Sequence, residues 1–258
     1  MNNNFSVKIY IEDIDELIKN WKKLENKCNT ILFQSSSWFE SWYENIFDKK
    51  KLSLRVYCIY NNTNLEPEVI IPLIIKKKFN LKICEFFNQN LSDYNSVLIK
   101  KNTKLNLSDI WNNICQDLKK NCDLIHFERL PNKINLLSND LKIFNNKIIK
   151  KRSYINFSVN KNIDFLKLQE KLPSNLIRKE RKLNRIIDCN YQNMNNLINN
   201  VNLIDFFNLK IKQYKRTGAR NIFNENTKNF YKYFFKNKSQ IKPFMSAIVE
   251  KKTHKIKL

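Results

Sequence analysis

The feature that most limits the fold is a series of three apolar runs that follow one another closely in the first half of the chain. They cover residues 52–61, 66–78 and 81–88, and short polar breaks separate them. Their β-branched and aromatic residues predict strands, and connections of a few residues join neighbouring strands in antiparallel order. The runs therefore predict the centre of a mostly antiparallel sheet.

Helices surround these strands. Apolar residues such as Leu17 and Trp21, and later Ile110 and Ile114, recur at the spacing of an amphipathic helix. Antiparallel strands followed by a helix and a further strand predict an α/β (α+β) domain. The predicted order is a strand at 5–11, helices at 13–28 and 35–47, the three strands above, a strand at 93–100, a helix at 105–121 and a strand at 122–131.

The second half of the chain repeats part of this order. A polar, Asn- and Lys-rich stretch at about 132–150 predicts a connector, so we expect one domain at 1–150 and another at 151–258. A strand at 154–160 and helical stretches follow, and Gly218 fits a helix C-cap. Later strands have no counterpart before Leu258. We therefore expect the second domain to be truncated; the alternative is a small α/β appendage.

The charge of the chain is strongly positive. Lys and Arg number 47 and Asp and Glu 24, a formal net charge of +23. Such a charge favours a polyanionic partner. The abundance of Lys, Asn and Ile also fits compositional drift, which explains the charge without a partner. The sequence shows neither a signal peptide nor a membrane-spanning run, so we expect a cytoplasmic protein.

The cysteines and histidines limit the chemistry. Six cysteines form no CxxC pair, and most lie in apolar runs, which predicts buried free thiols. With His126 and His254 as the two histidines, we expect no metal site and no Ser-His-Asp arrangement. His126 lies in an alternating strand and is predicted to be a core histidine, and His254 is predicted to be exposed and inert.

Six segments in order resemble one family. Together they are similar to the CelD-type acetyltransferases of bacterial polysaccharide and cellulose biosynthesis, which belong with the Fem-like, two-lobed proteins of the GNAT superfamily. The resemblance runs from about residue 30 to 258. The segments are FQSSSWFESWYENIF, EPEVIIPLIIKKK, LSDYNSVLIKK, CDLIHFERLP, SNLIRKERKLNRI and FFNLKIKQYKRTGARNIFNENTKNFYKYFF.

This resemblance implies two tandem GNAT-like domains that transfer an acyl group, such as acetyl, from acyl-CoA to an amine or hydroxyl. Related Fem enzymes use aminoacyl-tRNA as the donor, which leaves tRNA as an alternative partner. GNAT proteins bind the CoA pyrophosphate at a Gly-rich turn that opens a helix. The sequence has no such turn, so we expect the donor-binding element beyond Leu258. A non-catalytic binding module is the remaining alternative.

The first candidate site residues lie in the first domain. Trp38 and Trp42 share a helix face and are predicted either to line an acceptor pocket or to pack in the core. Asp93 and Tyr94 precede a predicted strand. They are candidates to orient or deprotonate the acceptor, the alternative being a turn Asp beside a half-buried Tyr.

The other candidates lie in the second domain. Four cations at i, i+3, i+4 and i+7 share one helix face and are predicted to bind a phosphorylated donor, a lipid-linked sugar phosphate or tRNA. The alternative is a solvated helix face. Residues around Gly218 are candidates for an acceptor contact. The cations are Arg178, Arg181, Lys182 and Arg185, and the residues near the glycine are Tyr214, Arg216 and Asn221.

Overall fold

The computed structural model describes two compact units. The first comprises the described residues of Met1–Asn146 and Ile222–Lys242, and the second those of Lys147–Asn221 and Pro243–Leu258. The described residues are 4–88, 90–130, 133–134, 137–138, 174–186, 189–193, 200–236, 246–250 and 256–257.

A mixed sheet forms the centre of the first unit. The strands of this unit are β1 (Phe5–Tyr10), β2 (Leu52–Asn61), β3 (Glu66–Lys78), β4 (Leu81–Phe86), β5 (Leu98–Ile99), β6 (Leu124–Ile125), β7 (Lys133–Ile134) and β8 (Leu137–Ser138). The order in the sheet is β1-β2-β3-β4-β6, with β5 paired to β3, and among the described strands β4 with β6 is the one parallel pair. A separate hairpin joins β7 to β8.

The helices of the first unit are α1 (Ile14–Glu25), α2 (Ser36–Asn45), α3 (Leu107–Asn121) and α6 (Glu225–Lys236), with a 3-10 turn at Leu32–Gln34. Side-chain caps start all four α-helices, because free backbone N–H groups at a helix start need acceptors. The capping residues Asp13, Ser35, Asn106 and Asn224 accept hydrogen bonds from the N–H groups of Glu16, Trp38, Ser108 and Thr227 respectively.

The second unit contains α4 (Ser174–Ile186) and α5 (Asn200–Thr217). Its sheet is antiparallel in the order β11-β10-β9, from β9 (Cys189–Asn193), β10 (Ser246–Glu250) and β11 (Ile256–Lys257). Gly218 follows α5 with a φ of 67°, and the Ala219 N–H donates to the carbonyl of Tyr214 at 3.0 Å. The predicted glycine C-cap is confirmed as a Schellman motif.

Alternating side chains of the first sheet build two cores. Face A, covered by α3, is mostly aliphatic and includes Ile71, Leu73 and Ile114. Face B, covered by α1, α2 and α6, is rich in aromatic rings and includes Trp21, Trp42 and Phe230. Because successive strand residues point to opposite faces, strand β3 supplies both cores.

The predicted α/β class with a mostly antiparallel sheet is confirmed, and β2 and β3 have their predicted bounds. The predicted strands at 93–100 and 122–131 are reduced to β5 and β6. The reason is that the loop before β5 takes up residues 93–97, and that the pairing of β6 with β4 ends with the bond from the His126 N–H. The two-domain division stays a prediction, and Ile222–Lys242 groups with the first unit. The predicted strand at 154–160 lies outside the described residues.

Candidate functional site

A polar loop, residues 88–97, lies between β4 and β5, and the structure describes all of it except residue 89. Both strands pair with β3, so the chain leaves the line of β4 after Phe87 and returns at Val97. Side chains of α2 and of the 3-10 turn before it bond to this loop. Trp38 donates its indole N–H to Ser92 Oγ at 3.3 Å, and Gln34 donates its side-chain amide to the carbonyl of Val97 at 2.7 Å.

The same loop is tied to the segment that follows β6. A guanidinium N–H of Arg129 donates a hydrogen bond to the carbonyl of Ser92 at 2.6 Å. The Asn95 N–H donates to the Arg129 carbonyl at 3.0 Å, and the Asn95 side chain donates to the Glu128 carbonyl at 2.9 Å. These bonds join the two connections that leave the carboxyl ends of the parallel pair. In open sheets with parallel strands, ligands bind outside those ends.

Each of the two connections contains a residue with a positive φ angle. Asn88 after β4 has a φ of 54° and Arg129 after β6 a φ of 57°, in the left-handed region that costs energy for a side chain such as arginine. The Asn88 side-chain Nδ2 is buried and finds no acceptor among the described residues. Strained backbone is concentrated at functional sites, and an unpaired buried donor calls for an explanation, of which a role in binding is one.

A row of charged side chains crosses face B beside this loop. Ile74 and Glu85 are cross-strand neighbours on face B, and Glu85 is buried in an ion pair with Lys76. The His126 N–H donates to the Cys84 carbonyl at 2.9 Å and so continues the β4–β6 ladder. In a parallel ladder, this bond places His126 level with Glu85.

His126 itself faces solvent. Its Nε2 lies 3.3 Å from Glu128 Oε1, and the two side chains are 51% and 52% exposed. The prediction of a core histidine is wrong, because β6 is the edge strand and no described element covers its face B side. Alternation in CDLIHFERLP could have placed His126 and Glu128 on one face, but it could not show that this face is open.

Asp93 and Tyr94 lie in the polar loop and are both exposed. The ring of Tyr94 is 6.3 Å from that of Phe33, which packs edge-on against Trp38. The structure thus brings these two candidates into the same loop that Arg129 and Asn95 tie to the His126 segment. Their roles as acceptor contacts stay predictions.

Trp38 and Trp42 are both buried in the face B core. The Trp38 ring lies 4.6 Å from Phe230 and the Trp42 ring 5.4 Å from Phe87. Packing in the core is therefore what the structure has at both positions. Trp38 also reaches the polar loop through Ser92, and a pocket-lining role stays a prediction.

The candidates of the second unit lie on its helices, except for Asn221, which follows α5. The predicted spacing is realised in α4, where all four cationic side chains are exposed: Arg178, Arg181, Lys182 and Arg185. At the end of α5, Tyr214 is half-buried, whereas Arg216 and Asn221 are exposed. Nothing in this arrangement tests binding, so both sets stay predictions.

Two further polar clusters in the first unit are internally satisfied. Arg55 holds Asp117 through two bonds of 2.6 Å, and Tyr57 donates to the same carboxylate at 2.6 Å. The guanidinium keeps the pKa of Asp117 below its ordinary value, and burial raises the pKa of Tyr57. This cluster clamps α3 to the sheet.

The second cluster surrounds Glu68 at a bulge in β3. Burial opposes its charge, but bonds from Lys100, Thr103 and Asn61 outweigh that penalty and hold the pKa of Glu68 below its ordinary value. Each of its oxygens has a partner. Both clusters therefore have a sufficient structural explanation.

The described thiols are poor nucleophiles. Burial raises the pKa of Cys28 and of Cys58 to about 12, so neither is a thiolate at neutral pH. Within the part of the chain that the structure describes, no group of three His, Cys, Asp or Glu side chains could hold a metal ion. None of the described helices is long and apolar enough to cross a membrane.

Comparison with known proteins leaves the family open. No family model matches the sequence, and no curated protein is significantly similar to it. One similar solved structure is described as the crystal structure of a possible acetyltransferase from Clostridium difficile 630. It is 10% identical, with a TM-score of 0.35, over 61% of this chain and 100% of that one. A TM-score this low does not establish a shared fold.

Proposed function

We propose that the chain is an acyltransferase that moves an acyl group from acyl-CoA to an amine or hydroxyl acceptor. The observation that carries the proposal is the parallel β4–β6 pair in an otherwise antiparallel sheet. Helix α3 lies between these two strands along the chain, and hydrogen bonds join the polar segments that leave their carboxyl ends. This order agrees with the GNAT-like domain that the sequence resemblance implies.

The chemistry requires little covalent machinery. An acceptor nitrogen or oxygen attacks the thioester carbonyl directly once it is deprotonated and held in place, and positioning alone can supply effective molarities of ~10⁵ M or more. The exposed Asp93 and Tyr94 are candidates for holding that acceptor. We expect the acceptor to be a precursor in polysaccharide or cell-envelope assembly, as in the proteins that the sequence resembles.

Isothermal titration with acetyl-CoA tests the donor. The full chain is titrated at moderate salt, because a net charge of +23 attracts any anion at low salt. The proposal assigns the donor site to the tied loops of the first unit in place of an element beyond Leu258, so we expect saturable binding with a Kd in the micromolar range. Free CoA should displace acetyl-CoA, and adenosine bisphosphate alone should not fully mimic it. A folded sample that shows no saturable binding would contradict the proposal.

A second candidate is a Fem-like, aminoacyl-tRNA-dependent transferase. The exposed cations of α4 favour it, because a row of cations over two helical turns suits a phosphate backbone. Binding of tRNA should then weaken steeply with salt, and R178Q/R181Q should lower the slope of log K against log salt by about 0.7 to 0.9 per charge removed. K19Q/K49Q, a control with the same loss of charge in the first unit, should leave the slope nearly unchanged.

A further inference from the structure

We propose that His126 is the general base that deprotonates the acceptor, with Glu128 as its positioning residue. The inference rests on the proposed acyltransferase function and adds a residue to it. Its first support is geometric. His126 lies at the carboxyl end of the parallel pair and is exposed to solvent on a face that the described elements leave open.

The contact with Glu128 decides which ring nitrogen can act. The Nε2 atom lies 3.3 Å from a Glu128 carboxylate oxygen, an ion-pair contact, and in the proposed site Nε2 keeps its proton on this side. The Nδ1 atom then carries the lone pair and can accept a proton. An imidazole oriented by a carboxylate is the arrangement that general-base catalysis uses.

The surroundings of His126 hold the other charges of this face. Glu128 comes from its own segment, Glu85 from β4 and Lys76 from β3. Glu85 lies level with His126 on the neighbouring strand, and strands are about 4.8 Å apart. Because Lys76 neutralises Glu85 in their ion pair, Glu128 is the carboxylate that lies against the imidazole without such a counter-charge from β3.

The polar loop supplies the rest of the site. Arg129 and Asn95 tie it to the segment that carries His126, so the loop and the backbone of that segment are joined. Asn88 Nδ2, which is buried and has no acceptor among the described residues, begins the same loop.

The proposed step balances. The lone pair of the acceptor forms a bond to the thioester carbonyl carbon while the acceptor proton passes to Nδ1 of His126. The carbon–sulfur bond breaks, and CoA leaves as a thiolate that takes a proton from the imidazolium. The products are the acylated acceptor and CoA thiol, and His126 returns to its starting form.

The experiment compares the full-length wild type with H126Q, and with H254Q as the matched control, since His126 and His254 are the two histidines of the chain. Acetyl-CoA binding is measured by titration calorimetry. CoA formation is measured by chromatography with glucosamine and a panel of primary amines as acceptors. We expect H126Q to bind acetyl-CoA like wild type, to lose about 100-fold or more in kcat, and to lose the fall in rate at acid pH that protonation of the base causes.

Two further results separate a base from a structural residue. H254Q should retain the rate and the pH profile of wild type. H126A should regain activity with added imidazole, because the exposed site admits a free base, whereas a residue needed for folding would show no such rescue.

The failures are distinguishable. Unchanged acetyl-CoA binding with a rate in H126Q within threefold of wild type would overturn the role of His126 and leave the acyltransferase proposal standing. A folded wild type that neither binds acetyl-CoA nor forms CoA would overturn both.

Discussion

The two faces of the first sheet are built in different ways. Face A is closed by α3, a helix that follows the strands directly in the chain, and one clamp of Arg55, Tyr57 and Asp117 holds it. Face B is closed by two helices that precede the strands and by α6, which comes about a hundred residues after α3. One face is therefore built from neighbouring sequence, and the other requires a remote segment.

The largest effect should come from the remote helix. F230A removes a fully buried ring that packs edge-on against Trp38, and Phe-to-Ala changes in cores cost about 3–5 kcal/mol. Denaturant unfolding should show this loss in the free energy of unfolding of the first unit. The control is Y233A on the same helix, whose side chain is exposed. Equal, small losses in both variants would show that α6 does not complete face B.

The next effect should come from the clamp on face A. D117N keeps the shape of the side chain but removes the charge that pairs with the nearly buried Arg55. Bonds between charged partners of this kind are worth about 1.5–3 kcal/mol. D109N, on the exposed first turn of α3, should cost about 0.3–1 kcal/mol through the helix dipole alone. Denaturant midpoints of the two variants give the comparison, and similar values would argue against the clamp.

The helix caps sharpen the comparison at a smaller scale. S35A removes the cap of α2 on face B at a fully buried position, and N106A removes the exposed cap of α3 on face A. We expect losses of about 1–2 kcal/mol for S35A and about 0.5–1 kcal/mol for N106A. Thermal unfolding of both variants measures the difference. A larger loss for N106A than for S35A would contradict the expectation that the buried cap contributes more to stability.

The smallest effect should be a pH dependence. Because the folded-state pKa of Asp117 is lowered, its contribution is present above the unfolded-state pKa and is lost as pH falls through the folded-state value. The gap in unfolding free energy between wild type and D117N should therefore be constant near neutral pH and narrow below about pH 4. Urea titrations from pH 7 to 3 measure it. A gap that persists undiminished at pH 3 would contradict the ion pair as its source.

The candidate site residues differ in whether the local sequence could identify them. Asp93 and Tyr94 could be singled out because a carboxylate and a phenol precede a strand, and the structure has them in an exposed loop. His126 could not, because its exposure depends on which helices cover the neighbouring strand. Trp38 and Trp42 share a helix face as predicted, yet the packing of Trp38 against α6 depends on a remote helix that no local pattern identifies as its partner.

By itself the sequence determined the local elements: the period-two and helical spacing of apolar residues set β2, β3, α1 and α3, and Gly218 set the end of α5. These features depend on interactions within a few residues, which a pattern records directly. The tertiary structure alone decided that α6 closes face B, that β4 and β6 run parallel, and that His126 is left open at the sheet edge. Each of these depends on contacts between residues far apart in the chain, whose free energies appear only when the whole unit packs.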